Sequence, residues 1–147
     1  MVDVPINYIA VVVAAVVNMV LGFVWFGPLF GKQWMTLMGM TPEKMNEMKT
    51  SSEFKNKMMM SYGIAFVMAL IMAYVLVHSL IFAQSYLQIS GVSAGLMAGF
   101  WSWLGFVAPV TTGMVLWEGK SWKLWILTSG YYLVALLVMG LLLSYWM

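Results

Sequence analysis

The sequence predicts an all-α integral membrane fold: one domain, a four-transmembrane-helix bundle with both termini on the non-cytoplasmic side and a short amphipathic helix in the first cytoplasmic loop. Three observations carry it. Of the 147 residues, 63% are hydrophobic and 8% are charged, whereas soluble domains carry about 25% charged residues. Four stretches reach the roughly 20 apolar residues that a spanning helix needs. All seven basic residues are lysines; six fall in the first and third connections between those stretches, and the seventh, Lys123, at the adjoining edge of the fourth stretch.

The first span is expected over residues 6–27. The chain before it, Met1-Val2-Asp3-Val4-Pro5, lacks a basic n-region, and the apolar run is too long for a signal peptide, so it reads as a retained helix. Residues 28–57 form a polar loop with Lys32, Lys44, Lys49, Lys55 and Lys57 beside Glu43, Glu47 and Glu53. Within it, Thr41-Pro42-Glu43 has the order of an N-cap, a first-turn proline and a first-turn acid. A helix is expected from Pro42. It either rests Met45 and Met48 on the membrane surface or runs straight into the next span.

The second span is expected over residues 58–83 and the third over 92–117, joined by an uncharged loop with Gln84 and Gln88. The fourth, 122–146, follows the tight turn Glu118-Gly119-Lys120-Ser121, with Lys123 at its edge. With four spans, the first and third loops share a side. The positive-inside rule places that side in the cytoplasm, leaving Asp3 on the other. Trp25, Phe26, Trp34, Trp117, Trp122 and Trp125 are expected at the inner interface, and Tyr8, Tyr86, Tyr145 and Trp146 at the outer one.

Small residues recur every four positions on three spans: Ala10, Ala14, Asn18 and Gly22; Ser61, Ala65, Ala69 and Ala73; Gly91, Gly95 and Gly99. Such faces let helix backbones approach closely. They serve either a tight intramolecular bundle or, for the glycine face, a contact between copies. Pro109 is expected to kink the third span, with Thr111 and Thr112 satisfying freed carbonyls. Leu-Gly-Phe-Val occurs at 21–24 and again at 104–107, each followed by a proline. Gly-Lys-x-Trp recurs at 31–34 and 119–122, a pattern that would fit a duplicated hairpin.

Composition excludes much chemistry. Without cysteine there is no disulfide, thiolate site or thiol nucleophile, and one histidine cannot build a multi-histidine metal site. No metal or other cofactor is expected. No nucleic-acid partner is expected either, because the lysines suit anionic lipid headgroups better. No nucleotide-binding or zinc-protease motif occurs. No carboxylate lies near a span centre, which disfavours a proton-coupled pump.

The candidate site residues are therefore polar groups at moderate depth. Asn18, Thr111, Thr112, Thr128 and Ser129 would form either a polar layer open to the cytoplasm or separate interhelical hydrogen bonds. His78 is the one titratable group well inside a span, either an interfacial histidine or a pH-sensitive ligand or gate. Glu118, Lys120, Lys32 and Trp34 share the inner interface, as a binding mouth or as a topogenic turn with its anchors.

Two stretches carry a family likeness. Ile6-Asn7-Tyr8, Gly22, Trp25-Phe26-Gly27-Pro28 and Gly31-Lys32-Gln33-Trp34-Met35 form the first; Trp117-Glu118-Gly119-Lys120-Ser121-Trp122, Gly130-Tyr131 and Met139-Gly140 form the second. Together they resemble a family of small bacterial membrane proteins of four helices, known only as a domain of unknown function. The resemblance implies the four-helix fold and points to Trp25, Pro28, Lys32, Trp34 and the Glu-Gly-Lys turn; it implies no activity. The reading that follows is a multi-pass inner (plasma) membrane protein acting as a small oligomeric transporter or channel for a neutral or weakly polar solute. The alternative is an accessory or scaffolding subunit of a larger membrane complex. An enzyme is not expected, since Glu118 and His78 fall at opposite faces.

Overall fold

The computed structural model describes residues 6–146. The reading of Met1 to Pro5, Asp3 included, lies outside them. The described residues are helices and connections without a strand. Four helical stretches have the length and apolarity of membrane spans: Tyr8–Leu29, Ser52–Leu87, Gly91–Leu116 and Trp122–Tyr145. The protein has the build of a polytopic membrane protein.

Helix α1 (Tyr8–Val24) starts at Asn7, whose side chain accepts from the Ile9 and Ala10 amides at 3.1 and 3.2 Å. It ends in a π-helical turn, Trp25–Leu29, broken at Gly27 (φ −104°, ψ −105°) just before Pro28. The chain then forms α2 (Gly31–Leu37), so the segment after the first span is helix rather than open loop. At Gly31 a β-carbon would sit 2.7 Å from the Phe26 carbonyl oxygen, so only glycine permits this tight reversal.

Helix α3 (Pro42–Thr50) begins as its residues predict: the Thr41 hydroxyl caps the Lys44 amide at 3.4 Å and Pro42 opens the first turn. It does not run into the next span. Ser51 is extended (ψ 127°) and caps a new helix, α4 (Ser52–Leu87), by accepting from Phe54 at 3.3 Å. With 36 residues at about 1.5 Å each, α4 is roughly 54 Å long, well beyond a hydrocarbon core of about 30 Å. The second span therefore exceeds the expected 58–83 at both ends.

Helix α5 (Gly91–Ser102) passes through a second π-helical turn, Trp103–Val107, into α6 (Ala108–Leu116). The wide turn lies just upstream of Pro109. It absorbs the missing proline donor by shifting the bonding register, and the Ala108 amide reaches back to the Trp103 carbonyl. Thr111 and Thr112 then donate to the Val107 and Ala108 carbonyls, each at 2.7 Å. Helix α7 (Trp122–Tyr145) completes the bundle.

Around the bundle the order is α1, α4, α5, α7, with α1 and α5 diagonal. The closest pair is α5 with α7. A β-carbon on Gly95 would strike the Gly140 carbonyl, one on Gly140 the Gly95 carbonyl, and one on Gly99 the Leu136 carbonyl at 2.5 Å. Gly95 and Gly99 are thus filled by α7 of the same chain and are not free for a second copy. Ala10, Ala14, Ala73, Ala94, Leu80 and Met139 share one core, in the half of the bundle remote from the lysines. On the lysine side the packing is lopsided. Helix α7 stays buried there through Leu124, Leu127 and Ser129, whereas α6 and the first 17 residues of α4, 52–68, contain no buried residue.

Candidate functional site

Aromatic packing docks the turned-back segment onto α7. Trp25 lies 4.8 Å from Phe30 and 6.3 Å from Tyr131, centroid to centroid, and Phe26 lies 5.0 Å from Tyr131 and 5.8 Å from Trp34. Tilted and edge-on rings at these spacings are the favourable arrangements. The Trp25 indole also donates to the Leu127 carbonyl at 3.1 Å. Trp25 therefore turns inward, in contrast to Trp117, which is 86% exposed.

Helix α7 is gripped from the other side as well. Trp103 donates to the Ser129 carbonyl at 2.9 Å, with the Ser129 hydroxyl 3.1 Å away. Trp125 donates to Thr111 Oγ1 at 3.2 Å. The Tyr131 hydroxyl donates to Asn18 Oδ1 at 3.0 Å, with the Asn18 carbonyl 3.3 Å away. Asn18 and Ser129 are 7% and 1% exposed, and the side-chain oxygen of each accepts in these bonds. Of the residues read as either a polar layer or separate interhelical hydrogen bonds, Asn18, Thr111 and Ser129 each form a separate interhelical pair. Neither Asn18 nor Thr111 lines any of the three main hollows.

The largest of those hollows, about 800 Å³, lies on the lysine side between α2 and α7. Its α7 wall is one helical stripe, Lys123, Leu127, Gly130 and Val134. Trp25, Phe30 and Leu37 supply the apolar part of the opposite wall, and Lys32, Gln33 and Thr36 its polar lip. Lys32 and Lys123 thus border one groove from two elements, and no acidic side chain lines it. Gly130 faces into it with room to spare: a β-carbon there would be 3.9 Å from the Trp25 ring, an ordinary contact.

Of the other candidates, Pro28 lies exposed in the π turn, and Thr112 bonds within its own helix. Glu118 is exposed on the turn after α6, which closes by the Lys120 amide donating to the Met114 carbonyl at 3.0 Å. Neither Glu118 nor Lys120 lines the groove. His78 is exposed on α4, and its Nδ1 lies 2.7 Å from the Tyr74 carbonyl, which only accepts, so Nδ1 carries the proton. Tyr131, Trp103, Phe30 and Lys123 were not singled out as site residues from the sequence. Tyr131 and Asn18 are 113 residues apart, and nothing local announces their pairing.

These features define an all-helical protein of membrane type, with a docked segment and a basic-rimmed apolar groove on one side. Its family model spans residues 9–144, and the chain belongs to that family, described as a protein of unknown function (DUF1761). No curated protein and no solved structure matches it.

Proposed function

We propose that the protein is a multi-pass plasma-membrane protein whose lysine loops face the cytoplasm and whose work is to bind an amphiphile in the α2–α7 groove, without catalysis. The observation that supports this is the groove itself: an apolar trough of about 800 Å³ with lysines at its lip, a size typical of small-molecule sites. A chain fits the wall of Leu127, Leu133 and Val134, and a polar head fits the lip. Transport of a polar solute has less support, because Asn18, Thr111 and Ser129 are occupied in holding helices.

A second reading, the accessory subunit, draws on the unburied lysine-side half of α4. There Met59, Met60, Ile64 and Met68 face outward, open to lipid or to another chain.

Plugging the groove tests the first reading. Gly130→Ala adds one methyl at ordinary contact distance and should leave lipid retention unchanged. Gly130→Leu should fill the trough and lower the lipid carried through gentle detergent extraction, counted by native mass spectrometry. Unchanged retention in Gly130→Leu, with thermal stability preserved, would sink the reading.

A further inference from the structure

Resting on that reading, we infer that the groove selects an acidic glycerophospholipid drawn from the lysine-side leaflet, held by Lys32 and Lys123 together.

The two ammonium groups come from independent elements. Lys32 sits in the first turn of α2 and Lys123 in the first turn of α7. Both border the same hollow, and no aspartate or glutamate lines it to neutralise them. Left empty, the arrangement sets two like charges beside an apolar trough. A headgroup phosphate supplies the opposite charge, and lysine is an effective point-charge partner for phosphate. Gln33 and the Thr36 hydroxyl lie on the same lip; Thr36 already donates to the Lys32 carbonyl at 2.9 Å, leaving its oxygen to accept from a glycerol hydroxyl.

The occupant's other end is set by the walls. Phe30, Leu37, Ile126 and Leu133 are apolar, and Ile126 is 64% exposed. A free phosphate or small organic anion would leave that surface uncovered, whereas an acyl chain covers it. The charge at the lip and the apolar length behind it match one molecule with both properties, already present in the surrounding bilayer. A lysine close to a lipid surface contributes about 1 kcal/mol toward an anionic headgroup, which corresponds to about fivefold in affinity.

The test titrates the purified full chain with phosphatidylglycerol and with phosphatidylcholine of identical chains, read by native mass spectrometry at low and high salt. Phosphatidylglycerol should bind at least tenfold more tightly, and less so in salt. Lys32→Gln and Lys123→Gln should each weaken it about fivefold, the double variant about 25-fold, with phosphatidylcholine unaffected. Lys44→Gln, outside the groove, should change nothing.

Equal binding of the two lipids overturns the inference, as does an equal loss in Lys44→Gln, which would mean diffuse surface attraction. Competition by millimolar inorganic phosphate alone also overturns it, in favour of a soluble anion. Gly130→Leu separates the two levels. If it blocks both lipids while the lysine variants do nothing, the groove stands and the acidic headgroup falls. If it blocks neither, the groove reading itself has failed.

Discussion

At the scale of single residues, the polar atoms in the interior act as fasteners. The Tyr131 hydroxyl and the Asn18 amide meet at 3.0 Å in a setting where Asn18 is 7% exposed. Interhelical hydrogen bonds of this kind are worth ~0.6 kcal/mol on average and about 1.7 at most. Tyr131→Phe is expected to lower unfolding stability in detergent by an amount in that range. A double-mutant cycle with Asn18→Leu should return a coupling of the same size, measured by thermal melts. A coupling near zero would mean that the pair is mere proximity. The same view reinterprets the tryptophans. Trp25, Trp34, Trp117, Trp122, Trp125 and Trp146 read as interfacial anchors, and Trp117 is exposed; but the N–H groups of Trp25 and Trp125, like that of Trp103, each find an acceptor on a neighbouring helix. Sequence does not distinguish a belt tryptophan from a clamp, because the partner carbonyl or hydroxyl lies on another helix.

At the scale of elements, α5 and α7 meet almost backbone to backbone through Gly95, Gly99 and Gly140. Gly140→Val places a β-carbon against the Gly95 carbonyl, and overpacking typically costs about 1–3 kcal/mol. Its melting temperature should fall by several degrees, while Gly63→Val, where nothing lies within 4 Å, should be close to neutral. The periodic glycines on α5 are legible in the sequence, and so is the need for a partner; that the partner is α7 is not, because α7 offers only Gly140 and Ser144 as a short small-residue pair. The Thr41 cap was fully legible, being local. The breadth of helix in residues 28–57 is not, since its charge density reads as loop although α2 and the start of α4 are regular. The two Leu-Gly-Phe-Val copies border or lie within the two π turns, yet the chain breaks at Gly27 after the first and continues as α6 after the second. The likeness does not extend to equivalent structure.

At the scale of the whole molecule, four spans could be counted from apolar length alone, and their limits agree with the helices within a few residues, apart from α4. The groove could not be foreseen, because it depends on α2 folding against α7, a contact between residues about 100 positions apart. Sidedness is an expectation that the protein makes easy to test, since it lacks cysteine. Single cysteines at Ser52 or Ser121 should be labelled by a membrane-impermeant maleimide only after cells are opened. One at Ser85, in the last turn of α4, should be labelled on intact cells. The reverse pattern would put the groove in the other leaflet.

The grip on α7 has a consequence for how the chain assembles. Helix α7 follows the other spans in the sequence, yet it supplies the acceptors for Trp25 and Trp103 and the hydroxyl that meets Asn18. During synthesis the first two spans enter the bilayer without these partners, which their lack of buried charge allows. The hairpin of α5–α6 and α7, joined by a short turn, can close by itself through contacts near in sequence, the kind that form fastest. Asn18 on α1 is then expected to meet the Tyr131 hydroxyl only once α7 is in place.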